Sequence, residues 1–446
     1  MKTLLGRVKG CALDVIVGPQ DPPGIVPLLS SHTKQFRSLS FTRNSSRDIQ
    51  MFLEANPGPL PLLHTIEISS IWHYALQESV ITPPAVPLFK NATDLKTFSF
   101  FSNSGWSPSL GYFAFPNLTS FYLSVEPDES FSVSQLLDFL EASPMLQIVN
   151  MVLVADIELE DVPQERVVVL HNVDSFNLTL VDSVSVYEFG AYISCPSASS
   201  ASLAHTKDTY DVNEEEVFPP SDLWDTIVDR YTRSSLEEVA FEIIGTPATT
   251  CKLAFRSSDG SVLKFSFEVT TNNEHEEERK DERAHSKIFD KIFYQATRII
   301  RDHPQANGVK RLRIHHSQDA YDHATDIADQ VSQLFKSLGP LDELTLHRCS
   351  LSQYFSRAFH RYREDLGEKV VFTPIKQLTI SHPYGSCFSD VISLAKSQHE
   401  LGVPFERVTI RGRYRYEEAE KELRPWVDTV EYYCEGWEEE EKPIID

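Results

Sequence analysis

The sequence predicts an α/β solenoid, for two reasons: a short apolar phrase returns along the chain, and segments with helical spacing lie between its copies. The phrase runs apolar, two other residues, apolar, one polar, apolar. It reads Phe36-Arg37-Ser38-Leu39-Ser40-Phe41 early on, and Leu341-Asp342-Glu343-Leu344-Thr345-Leu346, Ile375-Lys376-Gln377-Leu378-Thr379-Ile380 and Phe405-Glu406-Arg407-Val408-Thr409-Ile410 late. Further copies lie at 61–68, 95–100, 118–123, 146–151, 173–178, 236–241 and 309–314. Self-similarity of this kind marks one supersecondary unit stacked many times, each copy burying its apolar face against its neighbours.

Each copy alternates apolar and polar residues, as a strand does with one face on a core and the other in solvent. The central apolar residue steps by 34 and then 30 residues from Leu344 to Leu378 to Val408 (378 − 344 and 408 − 378). That is close to the leucine-rich repeat period, on its long side. Between strands, the segments 134–142, 222–231, 287–301, 325–337 and 389–401 place apolar residues three and four apart, as amphipathic helices do. Ser134 and Ser389 are expected N-caps, and Gly339 and Gly402 stand where helices should end. Strand, helix and parallel strand joined by short links wind right-handed. The expected architecture is therefore a leucine-rich-repeat-like solenoid (horseshoe) with a concave parallel sheet, convex helices and an inserted β-hairpin.

The hairpin is read from alternating residues at 251–255 and 262–269 around the turn-former Ser258-Asp259-Gly260. Directly after it, 272–285 is a run of charged residues without an apolar anchor, expected to be a mobile surface loop. Glu438 to Glu441 likewise suit a solvated end. The expected organisation is an N-terminal repeat segment (1–250), the hairpin and charged loop (251–285), a C-terminal repeat segment (286–434) and an acidic tail (435–446).

The 446-residue chain has 41 Lys and Arg against 65 Asp and Glu, a formal charge of −24. A field of that sign repels nucleic acid and anionic membrane surfaces, so neither is an expected partner. Screening over about 8 Å still lets a local basic patch present itself. The six cysteines include no Cys-x-x-Cys pair or zinc-ligand spacing and read as buried small hydrophobes. Lys2, Arg7 and Lys9 interrupt any apolar leader, and no run approaches about 18 apolar residues. The expectation is a soluble cytoplasmic or nuclear protein, in which the sequons at Asn44, Asn91, Asn117 and Asn177 are chance occurrences.

Nucleotide-binding, zincin and hydrolase motifs are missing, so no enzymatic activity, cofactor or metal is expected. His315 and His316, imagined as metal ligands with Asp319 and His323, are adjacent on a strand and face opposite sides, which rules out a joint site. A stronger signal comes from the polar positions of each phrase, which must point away from the core. In the last four copies they include Arg311, Arg313 and His315; Glu343, Thr345 and His347; Gln377, Thr379 and Ser381; Arg407, Thr409 and Arg411.

With strands about 4.8 Å apart, Arg313 to Thr409 spans roughly 15 Å. The expected partner-binding residues are Arg311, Arg313, His315, His347, Thr379, Arg407, Thr409 and Arg411, two cationic clusters flanking a ladder of hydroxyls. Such a surface suits a carboxylate-rich or phosphorylated protein segment, each charge-assisted hydrogen bond contributing about 1.5–3 kcal/mol. The competing account is that charged and β-branched residues simply suit an exposed sheet face, with Glu343 and neighbouring acids neutralising the cluster. Upstream, the outward positions Ser38, Ser40, Thr65, Glu67, Thr97, Ser99, Ser120 and Tyr122 are mostly hydroxyl-bearing.

Several stretches are similar to the fungal F-box-like leucine-rich repeat family: Gly10-Cys11-Ala12-Leu13-Asp14-Val15, the segments 135–146, 159–167 and 334–341, Arg301-Asp302-His303-Pro304, the segment 395–408, and Leu423-Arg424-Pro425-Trp426-Val427. The resemblance covers nearly the whole chain. It implies the substrate-recognition part of a ubiquitin-ligase receptor. Members of that family carry, before their repeats, an F-box-like helical segment that docks the Skp adaptor of cullin-RING ligases. Here the sequence opens almost directly on Leu13-Asp14-Val15, so that segment is expected to be missing and a Skp-type adaptor to be a partner only if one is encoded upstream. A small-molecule or glycan-binding solenoid, and a truncated copy without the adaptor-binding segment, are the alternatives.

Overall fold

The computed structural model describes residues 11–18, 21, 29, 32–44, 60–70, 92–102, 115–125, 132–154, 159, 162–163, 165–181, 185–207, 221–232, 234–244, 248–270, 294–316, 334–335, 337–347, 374–381, 387–412 and 417–434. They form an α/β protein of two compact units, Met1–His205 and Thr206–Asp446. Sixteen strands stand in extended, mostly parallel sheet structure, eight to each unit, with few helices.

The first unit contains β1 (Leu13–Val17), β2 (Phe36–Asn44), β3 (Thr65–Ser70), β4 (Thr97–Ser102), β5 (Ser120–Val125), helix α1 (Val133–Glu141), β6 (Ile148–Leu153), β7 (Val168–Val169), β8 (Ser175–Val181), helix α2 (Ser185–Ala191), β9 (Ile193–Ser194) and β10 (Ser200–Lys207). Its sheet order is β1-β2-β3-β4-β5-β6-β8-β10, and β1 to β8 pair in parallel. β7 and β9 form a separate two-stranded pair.

Copies of the phrase stack in register. Leu39, Ile66, Phe98, Phe121, Val149 and Phe176 form one continuous buried row, and Phe41, Ile68, Phe100, Leu123, Met151 and Leu178 form the next. Each such side chain contributes about 1.5–3 kcal/mol on leaving water, so a one-residue slip of any strand would reverse its faces and expose its core residues. α1 closes the core from the far side, with Phe139 packed 4.7 Å from Phe121.

The buried pattern is longer than the phrase that predicts it. A tight turn precedes most strands, closed by a hydrogen bond from residue +3 back to residue 0, and the buried residues fall at 0, +3, +6 and +8. Ala92, Leu95, Phe98 and Phe100 fit it, as do Phe115, Leu118, Phe121 and Leu123, and Ala306, Val309, Leu312 and Ile314. β10 obeys the same rule with Cys195, Ala198, Ala201 and Leu203. Its residues are too small to stand out as a hydrophobic run, which is why the strand escaped the sequence pattern. Successive turns are joined by rungs such as Lys96 N to His64 O and Gln147 N to Thr119 O, both 2.8 Å. Asn117, at one of the sequons, donates its Nδ2 to the Thr93 carbonyl at 2.9 Å.

The second unit contains helix α3 (Ser221–Tyr231), β11 (Leu236–Ile244), β12 (Ala248–Ser257), β13 (Val262–Thr270), a helical segment over 294–302, a 3₁₀ turn (Pro304–Gly308), β14 (Arg311–His316), β15 (Leu341–His347), β16 (Ile375–Ser381), helix α4 (Cys387–Glu400), β17 (Phe405–Gly412), helix α5 (Glu417–Leu423) and β18 (Val427–Cys434). Its sheet order is β13-β12-β11-β14-β15-β16-β17-β18. Leu312, Leu344, Leu378 and Val408 continue the core row begun by Val239.

The expected hairpin is β12–β13, with Gly260 at φ +90° in its turn, and it pairs antiparallel with β11 as part of the sheet. Gly402, at φ +77°, ends α4: Val403 N bonds Gln398 O and Gly402 N bonds His399 O, both 3.0 Å, the paired closure of a Schellman motif.

Both expected N-caps are corrected. Ser132 caps α1, its Oγ accepting from Gln135 N, while Ser134 lies inside that helix. Ser389 is the third residue of α4. In each case helical dihedrals extend further toward the N-terminus than the apolar spacing alone indicates. Among the cysteines, Cys195 and Cys251 are buried, with the Cys251 thiol pushed up to about 12 by desolvation, but Cys11 is exposed beside the edge strand β1. The segment 272–285, most of 325–337 and the tail after 434 lie outside the described residues.

Candidate partner-binding face

Pairing in register lays the outward side chains of the second unit into three rows that cross β12, β11, β14, β15, β16, β17 and β18 in that order. The first is Arg256, Glu238, Arg311, Glu343, Gln377, Arg407 and Thr429. The second is Ala254, Ala240, Arg313, Thr345, Thr379, Thr409 and Glu431, and the third Lys252, Glu242, His315, His347, Ser381, Arg411 and Tyr433. All eight residues singled out in the sequence therefore belong to one register grid, because every parallel partner repeats the same apolar and polar alternation.

The two ends of the grid differ in chemistry. On the β11 side, Glu238 is only 4% exposed. Its carboxylate is ringed by Arg313 Nε at 3.3 Å, Arg311 Nε at 3.4 Å and, more loosely, Arg256 Nε at 3.9 Å. Arg311 also reaches Glu237, at 3.3 Å. Two rows further along the strand, Glu242 is 1% exposed and accepts from Lys252 Nζ and His315 Nδ1, both at 3.0 Å. Burial pushes the Glu242 carboxyl up, but the bonds and charges of His315 and Lys252 outweigh it and hold the group below its ordinary value. His315 also meets the His347 ring edge-on, with centroids 4.5 Å apart.

On the β17–β18 side the cations are more open. The Arg407 side chain is 48% exposed, and its Nε lies 3.6 Å from Glu431 Oε1. Arg411 lies over the ring of the exposed Tyr433 at 5.7 Å, and among the described residues it meets no carboxylate. Thr409, between the two arginines along β17, is a buried floor although it belongs to an outward row. Glu343 accepts from its own neighbour Thr345 at 3.0 Å and leaves the arginines alone.

The acids that neutralise Arg311 and Arg313 are thus Glu237 and Glu238. They sit in another copy of the phrase, Leu236-Glu237-Glu238-Val239-Ala240-Phe241. Extending the facing rule to that copy and to the hairpin identifies Glu238, Glu242 and Lys252. Glu431 and Tyr433 belong to β18, whose apolar positions Val427, Val430 and Tyr432 give a weaker pattern.

Among the described residues there is no cluster of three or more metal-ligating side chains, and no helix is long and apolar enough to cross a membrane. A scan against protein-family models and a search of curated proteins each find no match.

Proposed function

We propose that this chain is a non-enzymatic protein-recognition module, the substrate-binding part of an F-box-like ubiquitin-ligase receptor. In this proposal its repeats curve as a leucine-rich-repeat-like horseshoe whose outward rows line the concave side. The observation that carries it is the three-row grid: polar side chains from seven strands, fixed in register by the core behind them, on a sheet face that is close to electrically balanced in a chain of charge −24. Rigid strands that present aligned polar groups suit the reading of another protein, because little side-chain ordering is left to pay for on binding. The ligase context rests on the family resemblance.

The test begins by selecting binders from a displayed library of proteome fragments with the purified chain. Thr379→Arg places a bulky side chain in the middle of the grid without touching the core, and it is expected to abolish capture of the selected fragments at unchanged melting temperature. Fragments indifferent to it would remove this face from the account. Depleting the Skp-type adaptor in cells is expected to raise the abundance of the proteins from which the fragments come; unchanged abundance would remove the ligase context.

A further inference from the structure

We infer that the partner offers an extended acidic segment, with carboxylates on two residues four apart, which lies along β17 so that one meets Arg407 and the other Arg411. This rests on the recognition proposal above and names the chemistry of its partner. The two halves of the grid are not equivalent toward an incoming anion. Arg311 and Arg313 already surround the buried Glu238, and an approaching carboxylate would have to displace it. Arg407 is half exposed with one long contact to Glu431, and Arg411 presents its guanidinium above Tyr433 with no carboxylate partner among the described residues. The cationic contact is therefore made at β17.

The spacing selects between anions. Arg407 and Arg411 are four residues apart on one strand, roughly 13 Å at about 3.3 Å per residue. One phosphate could engage both only by drawing Arg407 off Glu431 and Arg411 off Tyr433, whereas an extended peptide has the same rise per residue as the strand and matches their spacing in either direction. Its middle residue then falls over the recessed Thr409, between Thr379 and Glu431. Glu431 repels a third acid at that point, so the segment reads acid, any, non-acidic, any, acid. Specificity then comes from a repulsive element as well as from attraction.

The experiment is selection from a displayed random-peptide library with the full chain and with the Arg407→Gln/Arg411→Gln double variant. With the unchanged chain, Asp or Glu is expected to be enriched at two positions four apart and depleted midway between them, and the double variant is expected to lose that enrichment. In fluorescence anisotropy, a winning peptide made synthetically should bind roughly tenfold more weakly for each arginine removed. An analogue with one acid replaced by glutamine and the other by phosphoserine should also lose affinity. The inference is overturned by winners without this spacing, by the same winners from the double variant, or by a single phosphoserine that restores full binding.

Its failure is separable from that of the recognition proposal. Proteome fragments blocked by Thr379→Arg but indifferent to the double variant would leave the face in place and remove only the acidic segment. Fragments blocked by neither would remove both.

Discussion

Leu378 and Thr379 are neighbours in β16 with opposite fates: Leu378 is buried in the row between Leu344 and Val408, and Thr379 stands in the outward row between Thr345 and Thr409. Leu378→Asp both removes an apolar side chain and buries a carboxylate, and should cost about 3 kcal/mol or more. Thr379→Asp should stay within about 0.5 kcal/mol. Thermal melting of the two variants checks this, and similar losses in both would mean the strand facing is wrong. Arg313 behaves differently from Arg407. Arg313→Glu sets a second carboxylate against the buried Glu238 and should destabilise the fold by roughly 1–3 kcal/mol, so it reports on stability before it reports on binding.

Glu242 supplies a pH dependence with a definite sign. Its carboxyl is held below its ordinary value in the folded protein, so its contribution is complete above the unfolded value near 4.5 and is lost as pH falls through the folded one. Melting temperature should decline through that acid range, and Glu242→Gln should flatten part of the decline while lowering stability at neutral pH. A Glu242→Gln profile parallel to that of the unchanged protein would show that the Lys252 and His315 bonds do not carry the effect. These residue-scale facings were legible in the sequence wherever a phrase carried large apolar residues. The pairing of Arg256 with Glu238 and of Lys252 with Glu242 was not, because antiparallel contact between β11 and β12 depends on how the hairpin joins the sheet.

Among the elements, α4 ends on a glycine that carries a positive φ and has nothing within 4 Å of the place where a Cβ would sit. Gly402→Ala therefore meets no clash, and its cost, about 1 kcal/mol, is conformational. Gly402→Asn should recover part of it, as Asn tolerates the left-handed region better; calorimetry on the pair measures both. Equal melting temperatures for glycine and alanine would contradict the Schellman closure. Most strands could be read beforehand because each has two or three large apolar residues in alternation. α2, α5 and β10 could not: α2 and α5 are only seven residues long, and β10 buries mainly alanine and leucine. The turn residue at position 0 of the longer pattern would have found β10, since it marks the rung that precedes the strand.

For the whole molecule, a charge of −24 means self-repulsion that salt relieves, while the buried Glu238 and Glu242 clusters are screened much less. Raising ionic strength from about 0.01 to about 0.15 M should raise the melting temperature, and a fall would mean that exposed ion pairs outweigh the net repulsion. One alternation divides each strand into residues that hold the fold and, in the proposed function, residues that read a partner. Displaying every single arginine substitution across β14 to β18, and sorting the library once for folding and once for binding of a selected fragment, separates the two roles. A period of two is expected: losses of folding at Leu344, Leu378, Ile380, Val408 and Ile410, and losses of binding alone at the half-buried Gln377 and Thr379 on the strand between them. Binding losses without that period, or gathered on α4, would contradict it.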